Sequence, residues 1–548
     1  MLKNQMQGGS ASSALQTAIA IACLLLYMQD GRGNEGDMLW YQAYGGLLDD
    51  KPFALLPTAD GGWMIGAETY SFGAGSTDAW LIRLNSHGDT LWSNTYGDIF
   101  HQYVESLIPA NDSGWLLIAN QLSNTLNAWI ARVGENGETT WTWLYNGEAE
   151  DEFITALPLP DGCLAAGHTM SIGAGGSDQW LVRFNDVGDT LWTRNWGGWN
   201  TEQTNFLMPT NDGGSLLIGS TTSFSPLGQQ VTLWRNNDQG DSLWLRVYGD
   251  DEPQEATDIV AVPDGGWLLS CVAYFHFGYS VDDIWLLRVD ENGNEIWSKY
   301  YGSPNNEVIA KIMPLADGGW LLAGTAHPNG PQDPDFYLLR VDANGDSLWG
   351  RTYGTLASEW DLSAIVTPDS GCLLAGSVYF AGTENSNWWI LKTDADGDSQ
   401  WSMIFGDSLS GDFVRSLALT PEGNYLIVGE SHVGAVGYTD VGVMCLEGPS
   451  TGIIPAPFSQ PFCFMLQKPH PNPFNPATAL SYQLPASSFV SLRVYDIAGK
   501  LVQTLVNGWR DAGSHEATFD GSNLTSGVYI YRLIAGDFAA SGKMVLMK

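Results

Sequence analysis

Two groups of residues could do chemistry by their types and spacing. Asp394-Ala395-Asp396-Gly397-Asp398 sets three carboxylates at alternate positions, the density of hard oxygen donors that a calcium loop needs. Its glycine stands in the wrong place for a helix–loop–helix calcium site, and equivalent positions elsewhere in the chain are plain hairpin turns, so a turn is the preferred reading. The second group is Asp50, Gln102, Glu152, Glu202, Glu255, Glu307, Glu359 and Asp412, which recur four or five residues after a Tyr-Gly or its counterpart. If these ring one mouth of a channel, the carboxylates repel one another unless protonated or neutralised. A Ca2+ ion held by Asp50, Glu152, Glu202, Glu255, Glu307, Glu359 and Asp412 is the sharper expectation. The plainer one is that each caps its own loop by accepting backbone N–H groups, with no cofactor.

Other catalytic chemistry is not encoded by any recognisable motif. There is no H-E-x-x-H, no G-x-S-x-G and no phosphate loop, and the eight histidines are scattered without ligand spacing. Six cysteines in 548 residues form no disulfide framework. Cys163 and Cys372 fall where other copies of a repeat carry Trp, which marks them as small buried hydrophobes, and Cys271, Cys445 and Cys463 show no ligand spacing either. With 61 acidic against 23 basic residues, the formal charge of -38 argues against nucleic acid or an anionic lipid surface as partner.

The elements that position these residues are announced by tryptophan. Trp40, Trp92, Trp141, Trp192, Trp244, Trp297, Trp349 and Trp401 are spaced by 52, 49, 51, 52, 53, 52 and 52 residues, the regularity of a repeat architecture. Each period reads W-x-x-x-Y-G, a variable loop, an apolar stretch ending in Pro, D-G-G-W-L-L-A-G, a second loop, then D-x-W-L-L-R-V-D-x-N-G-D. Asn344-Gly345, Asp396-Gly397 and Asp60-Gly61-Gly62 supply the positive φ angles of tight hairpins. Four short antiparallel strands per period predict an all-β chain, an eight-bladed β-propeller. Met38 to Gly45 is an orphan fourth strand, and the last group, ending at Leu446, lacks one, so the first strand should complete the last blade and remove an open edge.

Topology places the N-G-D and D-G-G hairpins on one face and the Y-G and second-to-third-strand loops on the other. Only the latter face varies in length and sequence, and loops on a rigid scaffold are where binding concentrates. Trp199, Phe275, Phe277, Tyr279, Trp360, Tyr379 and Phe380 are its candidate ligand-binding residues, an aromatic set suited to a glycan or a protein ligand. The other tryptophans fall mostly at repeated positions that pack between blades. Arg83, Arg132, Arg183, Arg235, Arg288, Arg340 and Lys392 recur on the third strand, where a structural ion pair beside a turn Asp is expected.

The two ends of the chain predict an address. Lys3 followed by the apolar run Ala18 to Met28 fits a secretory signal over residues 1–36 and is too short to span a bilayer as a helix. Ala20-Ile21-Ala22-Cys23 only faintly resembles a lipoprotein box. Residues 37–448 hold the propeller, 449–465 a Pro-rich linker, and 466–548 a small Ig-like β-sandwich with strand-like runs between A-G-K, D-A-G and D-G-S turns. Pro471-Asn472-Pro473-Phe474-Asn475-Pro476, SYQLP, VSLRVYDIAGKLVQTL, SGVYIYRLIAG and KMVLMK resemble the type A C-terminal sorting domain of type IX secretion cargo. That resemblance implies Sec export, passage across the outer membrane through the type IX machinery, and release or surface attachment, with no transmembrane span in the mature chain. The fold of the tail also resembles the Ig-like domain of flagellar hook-capping proteins, but no hook-assembly segment accompanies it.

The repeats themselves, with D-G-G-x-L-x-A-G and the loop Ser71-Phe72-Gly73-Ala74-Gly75, resemble secreted bacterial repeat propellers, a group that implies a fold and no reaction. V-D-x-N-G-D-x-L-W is similar to the tryptophan-docking motif of eight-bladed quinoproteins, but the Thr of that motif, an adjacent cysteine pair and C-x-x-C-H are all missing. The function expected is therefore a secreted or surface binding or adhesion module. The alternative is a secreted enzyme, either a polysaccharide-active hydrolase or lyase or a quinoprotein-like dehydrogenase.

Overall fold

The computed structural model describes residues 35–449 except 111–113, 211, 225–227, 250–251, 277–279, 303–305, 329–333, 355–356, 380–384, 407–410 and 436–437, and residues 465–548 except 467–468, 485–487, 498, 511–512 and 536–537. The expected signal segment up to residue 34, the linker from residue 450 to 464, Cys23, Cys463, Phe277, Tyr279 and Phe380 lie outside the described residues. Among those described there is no helix, and so none long and apolar enough to cross a membrane.

Strand β1 is Met38–Tyr44, and the first complete sheet follows as β2 (Asp50–Pro57), β3 (Trp63–Thr69), β4 (Asp78–Leu84) and β5 (Thr90–Tyr96), antiparallel and in chain order. The same four-stranded order recurs six more times up to Phe405. The eighth sheet is made of Phe413–Leu419, Tyr425–Ser431, Asp440–Leu446 and β1, so the orphan strand does complete the last sheet. Second and third strands are buried almost residue by residue, as in β3 and β4, because both faces of each sheet are covered by neighbouring sheets. The fourth strand, as in β5, is largely exposed. Each first strand touches the first strand of the next sheet around a full circle, including the last against β2. This is the arrangement of a β-propeller.

The repeated phrase has a physical reason. The turn after the third strand opens, except at Gly134 and at the split closing hairpin, on an Asn or Asp whose side chain organises it: Asn85 Oδ1 accepts from the His87 and Asp89 amides at 2.8 and 3.0 Å. Asp394 accepts from Asp396 and Asp398 at 3.0 and 2.8 Å in the same way, so the calcium-like segment is a hairpin turn of this kind. The turn glycine is left-handed (Gly345, φ 76) and carries no Cβ because the tryptophan of the preceding sheet, Trp297, lies against it. Four residues after that tryptophan, the tyrosine hydroxyl donates to the same glycine's carbonyl: Tyr301 to Gly345, Tyr96 to Gly137 at 2.8 Å and Tyr353 to Gly397 at 2.6 Å. W-x-x-x-Y is thus a two-point clamp on the next sheet's hairpin.

Closure reuses the tryptophan half of the clamp on a split hairpin, with Phe405 where the tyrosine would stand. Gly36 donates to the Glu447 carbonyl and Glu447 to the Asp37 carbonyl, both at 2.8 Å, and Trp401 packs on Gly36. Leu55, Trp63 and Ile65 of the first sheet share one buried cluster with Leu426, Val428 and Val441 of the last.

The recurring third-strand cation pairs with the Asp of the D-G-G turn. Arg288 Nη2 lies 2.8 Å from Asp264, Lys392 Nζ lies 2.7 Å from Asp369, and Arg83, Arg183, Arg235 and Arg340 meet Asp60, Asp161, Asp212 and Asp317. The same side chains donate to backbone carbonyls, as Arg288 does to Trp267 O and Lys392 to Thr393 O.

After the linker the order of strands changes. Met465–Leu466, Ala477–Leu484 and Gly513–Asp520 make a three-stranded sheet, and Leu501–Arg510, Ser488–Asp496, Gly527–Ala535 and Phe538–Leu546 a four-stranded one. Phe474, Tyr482, Phe519, Leu533 and Met544 fill the core between them.

Candidate functional site

Strand register puts one polar residue at the same place in every first strand. Asp50 stands opposite Thr69, Gln102 opposite Gln121, Asp151 opposite Thr169, Glu202 opposite Thr221, Gln254 opposite Ala273, Glu307 opposite Ala326 and Glu359 opposite Val378. Asp412 continues the series one residue before Phe413, which pairs with Glu430. Two expected members are therefore corrected: Asp151 and Gln254 hold the position, not Glu152 and Glu255. In a strand, a shift of one residue turns a side chain to the opposite face. The sequence signal is spacing, because Asp151 and Gln254 come six residues after Tyr145 and Tyr248, as Asp50 does after Tyr44 and Glu202 after Trp196.

These side chains are buried at the seams between sheets, with exposures of 6% or less. Their backbones latch adjacent sheets: Glu202 N donates to Ser177 O at 2.7 Å, Asp50 N to Thr439 O at 2.8 Å and Glu359 N to Pro334 O at 2.7 Å. Their side chains hold the loops. Glu202 accepts from Thr221 Oγ1 at 2.6 Å and from the Gly198 amide at 2.7 Å, and Asp151 accepts from Ser171 Oγ at 2.6 Å. Facing them across each seam is a second polar set on the third strand of the preceding sheet, including Asp440, Asp78, Asp178 and Asn387. The glycine of Y-G separates the two sets, and a Cβ on Gly45, Gly97, Gly197 or Gly406 would strike both members of its pair. Burial, followed by the charge of the facing carboxylate, pushes Asp178 and Asp283 above the ordinary carboxylate range. Among the described residues no three His, Cys, Asp or Glu side chains converge to hold a metal. The expected ring at the mouth is instead a series of separate pairs, one per seam.

The residue after the buried one faces the centre. The inner series runs Lys51, Tyr103, Glu152, Gln203, Glu255, Val308, Trp360 and Phe413. Its aromatic sector is the candidate site. Trp360 is exposed and has the ring of His327 at 6.1 Å on one side. In the next sheet, Phe413 lies 6.1 Å from the Tyr379 ring and beneath the Arg415 guanidinium at 5.7 Å. Arg415 Nε donates to Glu430 Oε1 at 3.0 Å. Burial alone would lower Arg415; its hydrogen bond to Glu430 and the charges of Glu430 and Asp361 outweigh that and hold it above its usual value. The Tyr379 phenol is raised, first by burial and then by Asp361.

The backbone here is irregular. Every first strand carries a one-residue bulge, and within the one between Trp360 and Ser363 Asp361 sits at φ 57. A non-glycine residue in this region stores strain that the surrounding fold must hold, a feature concentrated at binding and catalytic sites.

The structure therefore brings Trp360 and Tyr379 into one sector and adds His327, Asp361, Phe413, Arg415 and Glu430, which residue type alone did not single out. Phe413 was legible by position, since it follows Asp412 as Trp360 follows Glu359. Trp199 is 86% exposed but belongs to a loop three sheets away, packed against Gly175. Phe275 lies on the strand Trp267–His276 with its backbone opposite Val281.

Comparison with known proteins assigns the tail. Residues 468–547 match the secretion system C-terminal sorting domain. The tail is a type IX sorting domain. It sends the protein to the cell surface or the medium and implies interaction with the type IX secretion machinery. No curated protein matches the chain.

Similar solved structures include a puromycin hydrolase, 13% identical with a TM-score of 0.42, over 72% of this chain and 62% of that one. PorZ, a surface component of the type IX secretion system of Porphyromonas gingivalis, is 12% identical with a TM-score of 0.37, over 90% of this chain and 70% of its own. The β-propeller domain of the Trilobed protease of Pyrococcus furiosus is 8% identical with a TM-score of 0.35, over 64% of this chain and 94% of its own.

Proposed function

We propose that this sorting-tail protein is a surface or secreted binding module. Residues 37–448 are read as an eight-bladed propeller carrying the ligand, 449–465 as the linker and 466–548 as the Ig-like tail that delivers it. The observation that carries the reading is the aromatic sector at the inner strands. There Trp360, Tyr379 and Phe413 stand beside a half-buried Arg415–Glu430 pair and a strained Asp361. Aromatic faces bury a large area at small entropic cost, while the ion pair and Asp361 supply directional partners, a combination suited to a glycan or a peptide segment.

A glycan and peptide screen with the full chain tests this. Trp360→Ala and Arg415→Ala are expected to weaken the best ligand at least tenfold, with Trp199→Ala unchanged; a ligand indifferent to both substitutions refutes the site.

The hydrolase alternative keeps one supporting observation. Glu105, on the first strand of the second sheet, is raised by burial and by the charges of Glu152 and Glu68, and His168 Nε2 lies 3.6 Å from Glu152. Polysaccharide cleavage that disappears in Glu105→Gln would move the function there.

A further inference from the structure

The four-stranded sheet of the sorting tail has one face on the core and one facing outward. Along residues 528–535 exposure alternates strictly, so Val528, Ile530, Arg532 and Ile534 point away from the core. The neighbouring strands extend this face: Arg493 stands opposite Arg532, Tyr495 opposite Ile530, and Lys543 opposite Ile530 from the other side. Phe489 and Trp509 pair edge to face at its margin, with ring centroids 6.2 Å apart, and Trp509 is 70% exposed. The outward side of the three-stranded sheet is different, pairing Ala479 with Thr518 and Ser481 with Glu516.

Charge follows the same division. Residues 465–548 hold seven Lys and Arg against five Asp and Glu, in a chain with 23 against 61. Two arginines directly opposite on adjacent strands repel, at a cost to stability. No ion pair among the described residues relieves Arg493, Arg532 or Lys543, and the Arg493 Nε is buried without a hydrogen-bond partner there. An unneutralised cationic stripe flanked by exposed Ile and aromatic side chains is an arrangement that a second surface would stabilise: apolar contact covers the Ile and Trp side chains, and carboxylates meet the arginines.

We infer that this face, Arg493, Arg532 and Lys543 with Ile530, Ile534 and Trp509, is the surface by which the export machinery reads the tail, and that its occupant is an acidic, apolar-centred protein surface. The opposite face, small and acidic, takes no part in recognition.

The test uses the full chain expressed in a bacterium with type IX secretion. Arg493→Glu with Arg532→Glu is expected to lower the amount at the surface and in the medium at least tenfold, with accumulation inside the envelope. Arg493→Lys with Arg532→Lys should restore most of it, and Glu516→Lys with Thr518→Lys on the other face should export normally. Arg493→Gln with Arg532→Gln, which removes charge without reversing it, and the melting temperature of each purified variant separate lost recognition from lost folding. Normal export of the reversed and neutralised variants overturns the inference, as does equal loss from the opposite face. Arginine-dependent binding of the wild type to anionic vesicles, with export intact in the variants, would assign the stripe to lipid and overturn it too.

Discussion

The seam between the third and fourth sheets in chain order, counting that of β2 as the first, offers a sharp perturbation only if Asp178 and Glu202 are treated as an unequal pair. Asp178 Oδ2 accepts from the Ala174 amide at 2.8 Å and from Asn195 at 3.2 Å, while its Oδ1 is buried without a partner among the described residues. Across Gly197, both oxygens of Glu202 are already engaged, by Thr221 and Gly198. Asp178 is raised by burial, with the Glu202 charge adding to it. A carboxyl whose folded pKa lies above its unfolded value contributes stability that is complete below the ordinary range near 3.8 and is lost as pH rises through the folded value.

Asp178→Asn keeps the shape and the acceptor and points an amide N–H toward Glu202. Two full charges about 4 Å apart repel by roughly 4 kcal/mol at an effective dielectric of 20, and a hydrogen bond to a charged group is worth about 1.5–3 kcal/mol. A gain on the order of 2 kcal/mol at pH 7 is expected, a few degrees in melting temperature for a unit of this size. Near pH 4 variant and wild type should melt together. Glu202→Gln should instead destabilise, because its amide N–H would confront an existing donor. Calorimetry across pH 4–8 decides. Asp178→Asn melting below wild type at pH 7, or with the same offset at every pH, refutes the pairing. A rise in wild-type melting with Ca2+ that Asp178→Asn abolishes would show that a cation, rather than bare repulsion, occupies the pair.

Two further outcomes follow from burial. Lys392 is fully buried between Asp369 and the Thr393 carbonyl, so Lys392→Ala should cost about 3 kcal/mol in denaturant unfolding, more than Arg83→Ala, whose partner Asp60 is solvent-exposed. Cys163, Cys372 and Cys445 are pushed up to about 12 by burial and Cys271 is raised further, so these four thiols should resist a thiol-disulfide reagent at pH 8 until the fold is opened.

Much of the fold was legible because its punctuation is chemically strict. A left-handed turn glycine with a tryptophan ring against it tolerates little else, so Trp297 and Gly345 recur at fixed spacing and count the sheets. The orphan strand was legible for the same reason, since Gly36 and Trp40 carry the clamp at the chain's start. The partner of the third-strand cation was less so: Arg288 is two residues from Asp290 of its own turn, yet it bonds Asp264 of the other hairpin, because antiparallel pairing brings that turn to the same end of the sheet.

The candidate site was legible only in part, and the reason is the two-residue period of a strand. Glu152 and Glu255 were chosen by type where spacing from Tyr145 and Tyr248 selects Asp151 and Gln254, and that one step separates a seam from the centre. The same step explains why Trp360 and Phe413 belong together although 53 residues part them: each follows a buried carboxylate on a first strand, and adjacent first strands meet at the middle. What no spacing announces is the left-handed backbone of Asp361 within its strand's bulge. The bulges of the other first strands hold no left-handed residue among those described, and a ligand that needs Trp360 but binds Asp361→Gly as tightly as wild type would show that the strain is incidental to binding.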